Sequence, residues 1–480
     1  MWIAVSVILS TVLLIFLFGA LKINIDRNLA EARVWQHGGV TASPETGSAD
    51  IPESCHVDDT FSSHLPILVI DTDGIPISGT GDGDSNPYVS MTVTVYDSPD
   101  GANSLSSGSG ETYIGRIKLR GEHVADSSKY QYRIKFLDTF GDARNVSLLG
   151  MTKADEWILD GSAADESNLR NYIGYSLAGE MGLNSPDVRY CEVLMRSGDD
   201  YEYMGLYLAV EPVEQGKGRV SFTGKRSLTG AYSYIVKRDG EDSSRPTLET
   251  WATANSVDVA IGRTDRLLTL VYPKNSKATE DAIRYVTEDL SEIERIIYSD
   301  SVLSEAALKE FLDVDSFVDY YLLNEFMMNR DAGKRSTYMY RDIGGKLTMG
   351  PVWGFNDSAG KKESQRCTIH TMPLFNRLVL NDFFTRRLEM RWEELREEYL
   401  SDERILSVIT ETEAFLGNAL SRDNFRRQAF GATDVDFDEA AARLCDRLTE
   451  HAGYLDSSLL LFDSGEEDVS SPFLMAADDD

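Results

Sequence analysis

The order of the predicted elements indicates an α+β protein whose N-terminal part is rich in β-strands and whose C-terminal part is mostly helical. Short runs that alternate between apolar and polar residues fall before residue 220, whereas helical periodicity dominates after residue 278. The chain lacks the regular strand–helix alternation of a parallel α/β sheet. An almost unbroken apolar run, Trp2–Leu21, precedes this body and predicts a transmembrane helix.

The composition supports a folded body and disfavours one class of partner. Of the 480 residues, 42% are hydrophobic and 26% are charged, which is enough apolar material for a packed interior. Acidic residues number 79 against 47 basic ones, so the formal net charge is −32. A surface of this sign repels phosphate backbones, and we expect no nucleic-acid partner. The four cysteines form no CxxC pair, which argues against a structural zinc site and leaves disulfides and free thiols both open.

The apolar run is long enough to be retained as a membrane anchor over residues 1–22. About 20 apolar residues span the hydrocarbon core as a helix, whereas the apolar region of a cleaved signal peptide is shorter and follows basic residues, which are missing here. Residues 23–60 are polar, include a patch rich in glycine, serine and proline, and are predicted to form a linker. Lys22, Arg27 and Arg33 follow the run, and the positive-inside rule alone would place the body in the cytoplasm.

The β-rich part is predicted to cover residues 61–220. One of its strands, Tyr130–Phe136, alternates so that Arg133 and Lys135 lie on the same face. The other predicted strands are Leu65–Ile70, Val89–Tyr96, Tyr113–Arg120, Tyr190–Met195 and Met204–Val210.

The mostly helical part is predicted to cover residues 221–465, and an acidic tail follows at 466–480. Its first stretch, up to residue 275, shows no regular pattern. One helix, Glu166–Met181, is predicted within the β-rich part. The later predicted helices are Thr279–Tyr298, Ser304–Phe311, Val314–Met328, Asp382–Tyr399, Asp402–Asn418 and Asp438–Ser457.

Several common chemistries lack their sequence signatures in this chain. There is no GxxxxGK[ST] loop, no GxSxG turn and no HExxH helix, which disfavours three large classes of enzyme. Two acidic segments, Asp71–Gly74 and Asp82–Asn86, resemble calcium loops but lack the full spacing and the terminal glutamate of an EF-hand. We therefore expect both segments to be solvated turns.

The most informative segment is a predicted β-hairpin that follows a helix ending at residue 328. Asn329–Asp331 stands before the hairpin, and Trp353–Asp357 stands after it. Because a hairpin returns the chain to the end from which it started, we expect these two loops to face each other. Such a pair suits phosphoryl transfer, in which one carboxylate orients the attacking hydroxyl and a second loop holds metal against the phosphates. By spacing alone, a structural role stays open in which Asp331 caps a turn and Trp353 fills the core.

Further blocks of residues stand in a fixed order along the chain. They are Arg120–Gly121, Ser127–Lys129, Tyr132–Phe136, Leu148–Met151, Trp157–Leu159, Asp165, Leu169–Asn171, Gly205–Leu208, Glu211, Gly218–Val220, Asp315–Glu325, Asn329–Asp331, Ser336–Tyr338 and Gly350–Trp353. Together they resemble the CotH family of spore-coat protein kinases over about residues 65–400. Several blocks in the right order are far more specific than any single one.

The resemblance implies an atypical protein-kinase-like fold that uses ATP and a divalent metal such as Mg²⁺ to phosphorylate serine or threonine on surface or coat proteins. It implies that Asp331 is the catalytic carboxylate. A cation on the Lys129–Lys135 strand would contact the phosphates, with Lys129 favoured by the motif and Lys135 by strand geometry. Glu211 could hold that cation by a charge-assisted bond, and Arg133 shares the face of Lys135.

The loop that holds metal in the family departs from the family pattern in this chain. The pattern is similar to W-D-[FY]-[DN], whereas the chain has Gly354 in place of the first acidic ligand and Asn356 as a neutral second one. Asp357 could take over by a small shift, so Asn356 and Asp357 are the predicted metal ligands. Mg²⁺ tolerates irregular coordination poorly. An active kinase, a catalytically weak or dead pseudokinase that binds nucleotide, and a surface scaffold without nucleotide all remain open.

The resemblance also implies a place in the cell. Members of the family are exported to cell or spore surfaces, so we expect a single N-terminal anchor, a body outside the cytoplasm and a protein substrate at that surface. The polar linker fits a tethered exodomain, and this expectation runs against the charge bias that follows the apolar run.

Overall fold

In the N-terminal half, β-strands predominate in the computed structural model. The structure describes residues 35–36, 54–79, 86–121, 129–224, 228, 230–240, 244–255, 257, 267–274, 277–299, 304–359 and 367–459. Within these ranges the β-rich N-terminal half and the helical C-terminal part confirm the predicted α+β class. None of the helices in these ranges is long and apolar enough to cross a membrane. The predicted anchor at 1–22 and the acidic tail at 466–480 lie outside the described residues.

Ten strands of the described chain lie within residues 56–210. They are β1 His56–Val57, β2 Ser62–Ser63, β3 Ile67–Asp71, β4 Val89–Tyr96, β5 Asn103–Ser104, β6 Glu111–Arg120, β7 Gln131–Leu137, β8 Glu156–Asp160, β9 Val188–Ser197 and β10 Asp200–Val210.

Seven of these strands close into a barrel. Pairing runs β3–β4–β6–β7–β8–β10–β9 and returns to β3, with antiparallel neighbours everywhere except the parallel pair β3–β9. Along β7 the side chains alternate between two environments: Ile134 and Phe136 are fully buried in the barrel core, whereas Arg133 and Lys135 lie on the outer face. The two cations thus lie on one face of the strand, as predicted, and the structure shows that this face is the outside of the barrel.

A second sheet of five strands lies within residues 221–465. Its order is β12-β13-β11-β14-β15, and all its neighbours are antiparallel. The pair β14–β15 is the predicted hairpin. Its other three strands fall before residue 275, where the sequence predicted no regular element. The strands are β11 Tyr234–Arg238, β12 Thr247–Leu248, β13 Leu268–Tyr272, β14 Thr337–Arg341 and β15 Thr348–Met349.

Helices cover one face of the second sheet. Helix α5 is the most deeply buried of those described: every residue from Phe317 to Phe326 is inaccessible to solvent or nearly so. Tyr234 and Val236 of β11 join the same core. The described helices are α1 Arg170–Glu180, α2 Trp251–Ala254, α3 Glu280–Ile297, α4 Glu305–Phe311, α5 Val314–Phe326, α6 Phe375–Leu378, α7 Asp382–Glu397, α8 Asp402–Leu416, α9 Asn418–Ala429 and α10 Phe437–Ser458.

The other face of the second sheet is turned towards the barrel. Ile235, Val271 and Tyr338 on this face form a small core with Val213 and Val220, which belong to the connection that follows β10. The outer face of β7 and β8 and the end of β13 line one shared cleft. The fold thus places the cations of β7 opposite the sheet that carries the hairpin.

Candidate active site

A cleft separates the outer face of the barrel from the second sheet. Its basic residues outnumber its acidic ones by four to two, although the whole chain carries a net charge of −32. The residues that line it are Arg133, Lys135, Glu156, Val213, Glu214, Gln215, Ser244, Arg245, Val271, Tyr272 and Lys274. Positive charge is therefore concentrated in this cleft.

Glu156 on β8 holds both cations of β7. Its two carboxylate oxygens lie 3.2 Å from Arg133 Nη1 and 2.9 Å from Lys135 Nζ. Burial opposes ionisation of Glu156, but attraction to the two cations outweighs it and lowers the pKa of the carboxyl below its usual value. The side chains of Arg133 and Lys135 remain 30% and 37% exposed, so a ligand in the cleft can reach both.

Glu211 has a different partner from the one that the sequence predicted. Its Oε1 lies 3.3 Å from Arg219 Nε, and its Oε2 accepts a hydrogen bond of 3.0 Å from the backbone N–H of Asp187. Since Lys135 is held by Glu156, the carboxylate that positions the outer cation comes from the neighbouring strand. The described contacts of Glu211 are thus with Arg219 and Asp187, and its role in holding a phosphate-binding cation stays a prediction.

Lys129 lies inside the protein, next to α9. Its Nζ donates a 2.6 Å hydrogen bond to Asp423 Oδ1 and a second bond to the carbonyl oxygen of Leu206. Asp423 also accepts hydrogen bonds from Arg427 Nε at 2.8 Å and from Asn168 Nδ2 at 3.2 Å. The Lys129 and Asp423 side chains are 1% and 0% exposed. The Lys129 ammonium thus forms a buried ion pair that connects α9 to the barrel. It does not reach the cleft.

The two loops at the ends of the hairpin contact each other, as the sequence predicted. Asn329 Nδ2 donates to the carbonyl oxygen of Gly354 at 3.1 Å, and the backbone N–H of Ala359 donates to the carbonyl oxygen of Met327 at 3.0 Å. Asn329 Oδ1 in turn accepts a 3.2 Å bond from the backbone N–H of Asp331. One asparagine therefore couples the Asp331 loop to the Trp353–Asp357 loop.

Asp331 closes the turn through its backbone. Its carbonyl oxygen accepts hydrogen bonds from the backbone N–H groups of Lys334 and Arg335, at 3.2 and 2.7 Å. Within the described part of the chain, its carboxylate takes part in no hydrogen bond or ion pair, and the residue is half-buried. The side chain is therefore not the turn cap that the structural alternative required.

Arg120 and Trp353 join the barrel to the hairpin loops. The guanidinium carbon of Arg120 lies 5.4 Å from the centre of the Trp353 ring. Burial lowers the pKa of Arg120, the nearby Arg133 lowers it further, and Asp160 opposes both effects. Trp353 also packs against Tyr175 and Tyr338, with ring centres 6.0 and 6.2 Å apart. Arg120 thus links the barrel to the loop that follows the hairpin.

The backbone at Gly354 adopts a conformation that favours glycine. Its φ is +79°, its N–H donates to the hydroxyl of Tyr175 at 3.0 Å, and its carbonyl oxygen accepts from Asn329. A Cβ at this position would have no heavy atom within 4 Å. A side chain at 354 would therefore point into open space, but at the cost of a left-handed backbone.

The amide of Asn356 is engaged at both ends. Its Nδ2 donates to Asp160 Oδ2 at 3.0 Å, and its Oδ1 accepts from Asn171 Nδ2 at 2.9 Å. Asp160 also accepts from Asn171 Nδ2 at 2.5 Å and from the backbone N–H of Ser162 at 2.8 Å. These bonds tie the end of β8 and the start of α1 to the loop. Asp357, in contrast, is exposed to solvent.

The oxygen atoms that this loop could offer as metal ligands do not fit the Mg²⁺ that the family implies. Gly354 offers no side-chain oxygen, the amide oxygen of Asn356 is occupied by Asn171, and the oxygens of Asp160 are occupied by backbone and amide donors. Mg²⁺ demands a near-regular set of oxygen ligands. In the described ranges no three His, Cys, Asp or Glu side chains are grouped so that they could hold a metal ion.

The sequence missed two acidic residues of this site, Glu156 and Asp160. Both residues lie in β8, on either side of the block Trp157–Leu159 that resembles the family. Their position next to this block is the one sequence feature that could have marked them as candidate site residues. Asn171 stood within a recognised block, and its contacts with Phe355 N–H at 2.6 Å and with Asn356 agree with a supporting role.

The protein is thus a mixed α+β protein with a cationic cleft and with two loops that contact each other. One of these loops carries Asp331, whose carboxylate makes no described hydrogen bond or ion pair. A cationic face and a carboxylate on a nearby loop are two of the parts that phosphoryl transfer uses. A family model described as CotH kinase protein matches residues 117–455, from β6 to α10. The chain therefore belongs to the CotH kinase family, as its sequence motifs indicated. No curated protein matches the chain.

Proposed function

We propose that this protein is a nucleotide-binding member of the CotH kinase family in which phosphoryl transfer is weak or absent. The observation that supports this most directly has two parts. Arg133 and Lys135 form an accessible cationic face, whereas in the metal loop both ends of the Asn356 amide are engaged in structural hydrogen bonds. The first feature suits ATP phosphates, and the second removes a ligand that transfer requires.

The cleft offers a chemically suitable place for each part of ATP. Tyr272 and Val213 line it with an aromatic ring and an aliphatic side chain, on which a base can pack. Arg133 presents a planar guanidinium and Lys135 an ammonium, and both groups form strong bonds to phosphate oxygens. Arg120 continues the positive charge towards Trp353 and the hairpin loops. The phosphates would then extend towards the loop that carries Asp331.

A slow protein kinase is a second candidate, and one observation favours it. The carboxylate of Asp331 takes part in no described hydrogen bond or ion pair, so it is available to orient a serine or threonine hydroxyl and to accept its proton. In that case the acceptor would be a protein at the cell or spore surface.

A membrane anchor at 1–22 would hold the body outside the cytoplasm. Protease added to intact cells should then remove the body, and complete protection would contradict this placement.

Thermal denaturation with and without ATP tests nucleotide binding. At a ligand concentration 100 times its dissociation constant, binding to the native state stabilises it by about 2.7 kcal/mol. We expect ATP to raise the melting temperature of the full-length protein. The control variant Lys309→Gln should respond in the same way. It removes an exposed cation that pairs with Glu305 and lies far along the sequence from the residues of the cleft. An unchanged melting temperature at every ATP concentration would support a scaffold that binds no nucleotide.

A further inference from the structure

We propose that the cleft binds nucleoside triphosphate without a divalent metal, because the cations of the barrel face neutralise the phosphates directly. This inference rests on the nucleotide-binding function proposed above and adds how the phosphate charge is balanced. In most kinases metal ions bridge the β- and γ-phosphates and neutralise their charge. Here the donors of the metal loop do not fit such an ion, so another source of positive charge is required.

The loop could accept a metal only by giving up bonds that hold it in place. Coordination through Asn356 Oδ1 would displace the 2.9 Å hydrogen bond from Asn171. Coordination through Asp160 would displace the hydrogen bonds from Ser162 N–H and from the amides of Asn171 and Asn356. Leaving such buried donors unpaired is costly. Asp357 provides the remaining carboxylate. It is exposed, and it is the one charged side chain of the Trp353–Asp357 loop that could ligate a metal.

The barrel face supplies the charge that the loop lacks. Glu156 is a single carboxylate shared by Arg133 and Lys135, so the group of three retains one net positive charge. Arg245 and Lys274 also line the cleft, where Lys274 Nζ lies 3.1 Å from Glu214 Oε1. An adjoining outer cleft is lined by further lysines, namely Lys153, Lys217 and Lys277. In a chain with a net charge of −32, this concentration of cations around one cleft favours a polyanionic ligand.

The two central cations are also fixed before any ligand arrives. Arg133 and Lys135 stand two residues apart on a strand of the barrel, and their shared contact with Glu156 restricts both side chains. A preorganised pair loses little conformational freedom when it binds. Arginine matches the geometry of phosphate with two parallel hydrogen bonds, which an isolated ammonium cannot do. The face can therefore bind phosphates tightly without a bridging ion.

Calorimetric titration of the full-length protein with ATP, once in EDTA and once in excess Mg²⁺, tests the proposal. We expect the two dissociation constants to agree within about threefold, since no ligand of the loop is organised for the ion. Adenosine should bind at least about tenfold more weakly than ATP in EDTA, because it lacks the phosphates that the cations contact. Equal affinity for adenosine and ATP would overturn the role assigned to the phosphates.

Substitutions locate the source of the charge. Arg133→Gln and Lys135→Gln should each weaken ATP binding in EDTA by about tenfold, whereas Asp357→Ala and the distant control Lys309→Gln should leave it unchanged. Binding that requires Mg²⁺ and is lost in Asp357→Ala would overturn the metal-free mechanism while preserving the proposed function. No ATP binding in either buffer, by a protein that unfolds cooperatively, would overturn the proposed function as well.

Discussion

Replacing Lys129 with methionine should destabilise the protein rather than remove a phosphate contact. The substitution keeps an unbranched side chain as far as Cε but deletes the ammonium that lies 2.6 Å from Asp423. Burial opposes ionisation of Asp423, but Lys129 and Arg427 outweigh it and lower the pKa of this carboxyl to about 2. Asp423 would therefore stay charged inside the protein with Arg427 as its remaining cation. Removing one partner of a buried ion pair costs about 3–5 kcal/mol, a large fraction of a typical stability of about 5–15 kcal/mol.

Urea denaturation followed by tryptophan fluorescence measures this loss, with Lys135→Met as the matched control. Lys135 is 37% exposed, and its ion pair with Glu156 should contribute less than about 1 kcal/mol. We therefore expect a large fall in the denaturation midpoint for Lys129→Met and a small one for Lys135→Met, with weakened ATP binding only in the second. A Lys129→Met protein that is as stable as Lys135→Met but no longer binds ATP would refute this reasoning. It would restore Lys129 as the phosphate-binding cation that the sequence motif implied.

Three further substitutions test the site and the core. Asp331→Asn should abolish any phosphoryl transfer and change the free energy of unfolding by less than about 1 kcal/mol, since its carboxylate makes no described bond; full activity in the folded variant would exclude a catalytic role. Gly354→Asp should make ATP binding stronger in Mg²⁺ than in EDTA, since a Cβ there meets nothing within 4 Å, and Gly354→Ala controls for the strain at φ +79°. If metal has no effect on the folded Gly354→Asp protein, it does not bind at this loop. Burial raises the pKa of Glu325 on α5 to about 8, although backbone N–H groups of Thr368 and Ile369 oppose the shift. The carboxyl therefore stays protonated in the folded state while it ionises in the unfolded state, and stability falls as the pH rises from 4.5 towards 8. Glu325→Gln should flatten this dependence between pH 5 and pH 8 in urea denaturation, and parallel profiles for the two proteins would contradict the assignment.

Features encoded locally could be predicted from the sequence. The period of two along β7 was enough to place Arg133 and Lys135 on one face, because alternate residues of a strand point to opposite sides. The hairpin β14–β15 was recognisable from two short strands around a tight turn, and its geometry brought Asp331 and the loop at Gly354 together. In both cases the relevant residues lie within about one supersecondary unit.

Features that depend on distant parts of the chain could not be predicted. Asp423, the partner of Lys129, lies 294 residues further on, beyond the blocks that resemble the family. The barrel closes through the parallel pair β3–β9, which no local pattern specifies. Strand β12 has two residues, too few to show any periodicity, and this is one reason why the second sheet was missed.

Gly354 and Asn356 in the metal loop have a common physical explanation. An asparagine at 356 donates to Asp160 and accepts from Asn171 at the same time, which an aspartate could not do because its ionised oxygens only accept. An aspartate there would face the Asp160 carboxylate at hydrogen-bond distance, and two such charges are tolerated only if a proton or a cation lies between them. The amide of Asn356 thus supplies the attraction that a metal ion would otherwise provide. Once the loop is held in this way, the carboxylate absent at Gly354 costs the fold nothing, and the glycine fits the backbone at φ +79° better than any other residue. The loop is stabilised as part of the protein's structure, and in the proposed binding of nucleotide the barrel face would supply the positive charge.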